Sequence, residues 1–201
     1  MEMNSIRIVL ASPSDVAEER QLITNIINIT DKRFKRQGIT LDLRRWEDTA
    51  PGASPIGGQG TIDDDLGNKD ADIFICLYWK KLGTVIEGLD ETGTEHELNL
   101  AIEAFLKNGK PDIKFLIKKV EDSEKNEDYK GIEEIAKKIQ PLALYSEFSS
   151  LEELRELINQ ILLSEFFKKA TDVITPREEK KYSEVASESQ LFTIFLFTNK
   201  I

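Results

Sequence analysis

Residues 71–105 read ADIFICLYWKKLGTVIEGLDETGTEHELNLAIEAF. The stretch opens on an apolar run, Ala71 to Trp79, of the kind a strand buried on both faces shows. It closes on a helical pattern from Gly93 to about Lys107, with Leu98, Ala101, Ile102 and Phe105 on one face. A polar, glycine-containing loop, 80–92, joins the two. Strand, loop and helix in that order are the repeating unit of open α/β sheets, which place their ligands at the carboxyl ends of the strands.

Outward from this unit the pattern repeats. Toward the amino terminus, Ser5–Ala11 reads as a short buried strand. Ser12 is placed to cap the helix that follows, Pro13 suits its first position, and Asp15 suits its positive end. That helix carries Val16, Leu22, Ile23, Ile26, Ile27 and Ile29, runs toward Phe34 and ends at Gly38. Ile39–Trp46 alternates apolar and polar residues, which predicts a strand near a sheet edge. Two prolines and four glycines make 47–60 the strongest loop signal, and 61–68 reads as a short acidic helix.

Toward the carboxyl terminus, Gly109-Lys110-Pro111 breaks the chain before a strand at Ile113–Lys118. A charged surface loop at 120–128 precedes a helix at Tyr129–Ile139. Pro141 stops that helix, and Leu142–Tyr145 reads as a fifth strand. Ser149-Ser150 with Glu152 and Glu153 opens a last helix that reaches about Lys168. Residues 1–168 therefore form one α/β domain, and 169–201 a polar linker with an apolar end, LFTIFLF at 191–197. That end is expected to add to a sheet edge, dock on the domain or join a partner chain.

Alternating strands and helices call for a parallel sheet with helices on both faces. Five strands predict a flavodoxin-like three-layer sandwich of order 2-1-3-4-5. Its switch point lies between the carboxyl ends of strands 1 and 3. There the topology brings Ser12-Pro13-Ser14-Asp15 beside the stretch that leads from Trp79 to Glu97.

Composition narrows the function classes. The chain has 201 residues, 40% of them hydrophobic and 32% charged, with a net charge of −10. Such a balance disfavours direct nucleic-acid binding and an anionic membrane surface. No apolar run approaches the ~18 residues of a membrane helix. The single cysteine, Cys76, lies inside the apolar run and reads as core. One cysteine forms no internal disulfide, and MEMNSIRIVL lacks a long apolar signal segment; both point to the cytosol. One Cys and one His give no zinc spacing, so no metal is expected, and no Walker-type phosphate loop is present.

The candidate chemistry sits at the head of the helix at 93–107. Glu95 and Glu97 fall on opposite flanks of its buried face, and His96 is expected to face water. Helical spacing alone does not choose between the two glutamates. Both also suit the positive helix end. Ser12, Ser14 and Asp15 likewise carry two readings that can both hold: helix capping, and a turn whose backbone N–H groups face phosphate or ribose.

The segment Gly93-Thr94-Glu95-His96-Glu97, after a D-I-F-I strand, resembles the catalytic segment of nucleoside 2-deoxyribosyltransferases and of Toll/interleukin-receptor (TIR) domains. The opening V-L-A-S-P-S-D-V-A-E-E-R is similar to that of a bacterial TIR-like family often found at the start of defence and signalling ATPases. Arg45-Trp46-Glu47 with Pro51, Asp70 through Ile75, Trp79 with Gly83-Thr84, and the S-x-L-E-E-L-R-E-L helix extend the likeness over about residues 5–165. The resemblance implies cleavage of NAD, as substrate and not cofactor, at the nicotinamide–ribose bond, with Glu97 as the catalytic residue. It implies a substrate pocket from Ser12, Pro13, Ser14, Asp15, Gly83, Gly93 and Thr94, with Trp46 or Trp79 as an aromatic wall. For Trp46, at a strand end, core packing is an equal reading. A role in bacterial antiviral defence and self-assembly through TIR-like faces or the tail are implied as well. Two other functions stand beside it: a non-catalytic TIR-like assembly module, and base exchange on deoxynucleosides.

Overall fold

In a computed structural model of the chain, residues 4–45, 71–143 and 145–170 are described. The chain divides into two compact units, Met1–Gln160 and Ile161–Ile201. Of the second, residues 161–170 are described, and they are helical. The expectations for Trp46, for the loop at 47–60, for the helix at 61–68 and for the tail from 171 lie outside the described residues.

In the first unit five strands pair in parallel: β1 (Asn4–Ala11), β2 (Ile39–Arg45), β3 (Ile73–Tyr78), β4 (Asp112–Lys118) and β5 (Tyr145–Phe148). Their order is β2-β1-β3-β4-β5, the flavodoxin-like arrangement. All six residues of β3 are buried, as a central strand requires. In β2 only Ile39 is fully buried, which matches its place at the edge.

Right-handed crossovers set the layers. The step from β1 to β2 runs one way across the sheet, and the steps from β3 to β4 to β5 run the other. Helix α1 (Ala17–Phe34) therefore covers one face, and α2 (Gly93–Asn108) and α3 (Glu127–Ile139) cover the opposite one. Register confirms the division. Val9 lies opposite Phe74 and Phe74 opposite Ile113, while Ala11, Cys76 and Phe115 form the next row. These side chains share one core with Tyr78, Leu98, Ala101, Ile132 and Ile135. The intervening residues Ile75 and Leu77 face the α1 side, because strand side chains alternate. Full burial of Phe74, Phe115 or Ile75 contributes about 2–3 kcal/mol each.

Local signals end the helices. Gly38, at φ 78°, and Gly109, at φ 71°, supply the left-handed turns after α1 and α2. Asn126 accepts a hydrogen bond from Tyr129 N and starts α3 at Glu127, two residues before the expected point. Two expectations need correction. The fifth strand is Tyr145–Phe148 and not Leu142–Tyr145: Leu142 N and Ala143 N both donate to Ile139 O, so these residues form the turn that follows α3. Ser12 does not cap α1. A 3-10 turn, Ser14–Val16, intervenes, with Pro13 in its capping position and no side-chain cap. Among the described residues, no helix is long and apolar enough to cross a membrane.

Candidate functional site

The candidate site is the carboxyl edge between β1 and β3, where Ala11 lies opposite Cys76 and the strand order reverses. Asp15 ties the two exits together. Its Oδ2 accepts from Lys80 N at 2.9 Å and Lys81 N at 3.1 Å, the first backbone groups beyond Trp79. Its Oδ1 is buried and accepts no hydrogen bond. The turn before it is held by Arg20, one turn into α1. Arg20 Nη1 donates to Ser12 Oγ at 2.9 Å and to Pro13 O at 3.2 Å. Ser12 and Pro13 are buried and Ser14 is exposed.

On the other side of the edge, the 80–92 loop closes on itself and delivers α2. Gly83, at φ +113°, turns the chain so that Thr92 and Thr94 pack beside it. Thr92 Oγ1 donates to Leu82 O at 3.0 Å and accepts from Glu95 N at 3.3 Å, which makes it the cap of α2. Gly93 N donates to Thr84 O at 3.1 Å, and Val85 bridges to Thr92. Glu97 then falls one turn into the helix at 4% exposure, whereas Glu95 is half-buried. Packing thus distinguishes the two acids that helical spacing left equal.

Two protic groups of β3 feel that acid. Burial pushes the Cys76 thiol well above its usual range, and the Glu97 charge adds to the effect. Burial does the same to the Tyr78 phenol, followed by the charges of Cys76, Glu95 and Glu97. Thr92 is near enough to Tyr78 to pull the other way. No hydrogen bond of sound geometry forms, however, and Tyr78 Oη is buried without a partner.

Trp79 lies elsewhere. Lys118 Nζ stands 4.2 Å from its ring centre and Lys80 Nζ 4.7 Å. Lys118 Nζ is also 2.5 Å from Glu19 Oε1, on α1, at 2% exposure. Trp79 therefore packs on the α1 side, and the aromatic on the Glu97 side is Tyr78. Lys80, at the start of the loop, pairs with Glu124 at 3.1 Å, and Arg44, on β2, pairs with Asp42 at 3.2 Å. His96 does not face water as expected. Its Nδ1 is 2.5 Å from Glu91 Oε1, because the loop folds back over the first turn of α2, and Asn99 holds the other oxygen of Glu91 at 2.7 Å.

Sequence reading passed over Tyr78, Thr92, Arg20 and the Glu19–Lys118 pair. A signal existed for Thr92, since Thr92 and Glu95 have capping-box spacing. None existed for Tyr78, which stands in an apolar run like any core aromatic. Among the described residues, no group of three or more His, Cys, Asp and Glu side chains is arranged to hold a metal. Compared with known proteins, the chain matches no family model and no curated sequence.

Proposed function

We propose that the first unit is a TIR-like domain that hydrolyses NAD, or a related nucleotide, at its N-glycosidic bond. Glu97 is the catalytic carboxylate. One observation supports this above the rest: a glutamate at 4% exposure, at the head of α2, beside the carboxyl edge where the strand order reverses.

The chemistry needs only one catalytic carboxylate. Nicotinamide leaves with the bonding electron pair and becomes neutral, so no acid is required. Positive charge develops on the ribose, and a fixed anion stabilises it and orients the ribose hydroxyls. Water then bonds to the anomeric carbon and releases a proton. In this reading Ser12, Pro13, Ser14 and Asp15 supply one wall of the pocket. Gly83, Gly93 and Thr94 supply the other, and Trp46 flanks it, since Trp79 packs on the α1 side. The domain works in the cytosol as an effector of bacterial antiviral defence, assembled through its own faces or its tail. It engages neither nucleic acid nor membrane.

The test follows nicotinamide release from NAD at high protein concentration, with Glu97→Gln alongside. Release by the native chain and a loss of at least about 100-fold in the variant are expected. Equal turnover by both proteins would remove Glu97 from the role.

One observation favours a second reading, a non-catalytic assembly module. The opening turn spends its polar groups internally, Ser12 on Arg20 and one oxygen of Asp15 on Lys80 and Lys81. That reading predicts no turnover of NAD, even in an enforced oligomer.

A further inference from the structure

Few buried polar atoms in a folded protein lack a partner, because each one costs about 1–3 kcal/mol. Tyr78 Oη is such an atom. It stands at the last residue of β3, with Thr92, the cap of α2, among its neighbours. The packing that surrounds the ring is complete: Tyr78 is fully buried, stacks 5.6 Å from Phe115 and shares its core with Leu98 and Ala101. Burial of the ring therefore accounts for an aromatic here, and phenylalanine would serve it as well. Cys76 and Thr92 lie near the hydroxyl, but neither holds it in a well-formed hydrogen bond. A second unmet atom, Asp15 Oδ1, lies at the same edge.

We propose that the Tyr78 hydroxyl is a substrate contact, reserved for an uncharged oxygen of a cationic nucleoside bound against Glu97. The inference rests on the proposed NAD reading and names a group that reading did not contain. The ligand must bring an acceptor, because a phenol below its pKa offers a proton. That acceptor is not anionic, because the charges of Glu95 and Glu97 reach the phenol and the 80–92 loop adds Glu87, Asp90 and Glu91. A nicotinamide nucleoside meets both conditions: its ring is cationic, and its carboxamide and ribose oxygens are neutral. In this proposal the ligand enters past the 82–84 segment. The Thr92–Leu82 and Gly93–Thr84 hydrogen bonds close that segment and are the ones the ligand would open.

Tyr78→Phe is the test, read in two ways. Its melting temperature should equal or exceed that of the native chain, since an unsatisfied hydroxyl is removed. A lower melting temperature would show that the hydroxyl has a structural partner and would overturn the assignment. For NAD the KM should rise about tenfold, the value of one hydrogen bond, with kcat changed less. Native and variant chains that release nicotinamide with the same KM would overturn the Tyr78 contact alone. A native chain that neither binds nor cleaves NAD would overturn the NAD reading, and this contact with it. Nicotinamide riboside and a riboside without the carboxamide separate the two candidate oxygens. If only the first is weakened by Tyr78→Phe, the acceptor is the carboxamide; if both are, it is the ribose.

Discussion

Glu19 and Glu97 are two glutamates at nearly equal burial, 2% and 4% exposed, under opposite faces of one sheet. Glu19, on α1, lies against the Lys118 ammonium, which in turn stacks on Trp79. Its charge is neutralised within the fold, and the trio joins α1 to the ends of β3 and β4. The charge of Glu97, on α2, is felt by Cys76 and Tyr78, two groups that burial keeps protonated. Burial by itself therefore does not mark a functional acid. Their surroundings differ: Glu19 meets a cation supplied by the sheet, and the charge of Glu97 reaches two protonated groups of β3.

The comparison breaks most easily at Lys118. Lys118→Met leaves Glu19 buried beside an apolar chain, and a loss of about 3 kcal/mol is expected in denaturant unfolding. Glu19→Gln together with Lys118→Met should recover most of it. A Lys118→Met variant as stable as the native chain would mean that the pair is not what holds Glu19.

Alkaline pH probes the other acid's surroundings. The folded chain keeps the Cys76 and Tyr78 protons beyond the pH at which the unfolded chain releases them, near 9.0 and 10.0. The unfolded state then binds fewer protons, so stability is full below about pH 9 and falls above it. The slope approaches about 1.4 kcal/mol per pH unit for each group. Cys76→Ala should remove the earlier part of the fall in melting curves between pH 8 and 11. A stability that stays flat to pH 11 in the native chain would mean that neither group is kept protonated.

The smallest expected effect is the most informative. Glu97→Gln should change unfolding stability by less than about 1 kcal/mol, because the amide keeps the shape of the carboxylate and its capacity to accept hydrogen bonds. Under the proposed function its effect falls on turnover. Destabilisation as large as that of Lys118→Met would place Glu97 in the same structural class as Glu19.

Much of the fold was legible in residue order. The apolar run Ala71–Trp79 announced the central strand observed at Ile73–Tyr78, and the alternation of 39–46 announced the edge strand observed at Ile39–Arg45. Gly38 and Gly109 ended helices where left-handed turns were needed. Boundaries that depend on one hydrogen bond were not legible. Leu142 looked like a strand residue until its N–H was spent on Ile139 O, and Ser12 looked like a cap until Arg20 claimed it.

By itself the sequence determined the parallel α/β sheet, its strand order and its switch point, because hydrophobic period and handedness act locally and leave few alternatives. Only the tertiary structure decided which glutamate of α2 is buried, that Trp79 turns toward α1, and that the Tyr78 hydroxyl has no partner. Those facts depend on what stands across a gap from each side chain. Strand alternation and helix rotation place a residue on a face, but the opposing element determines what it meets there.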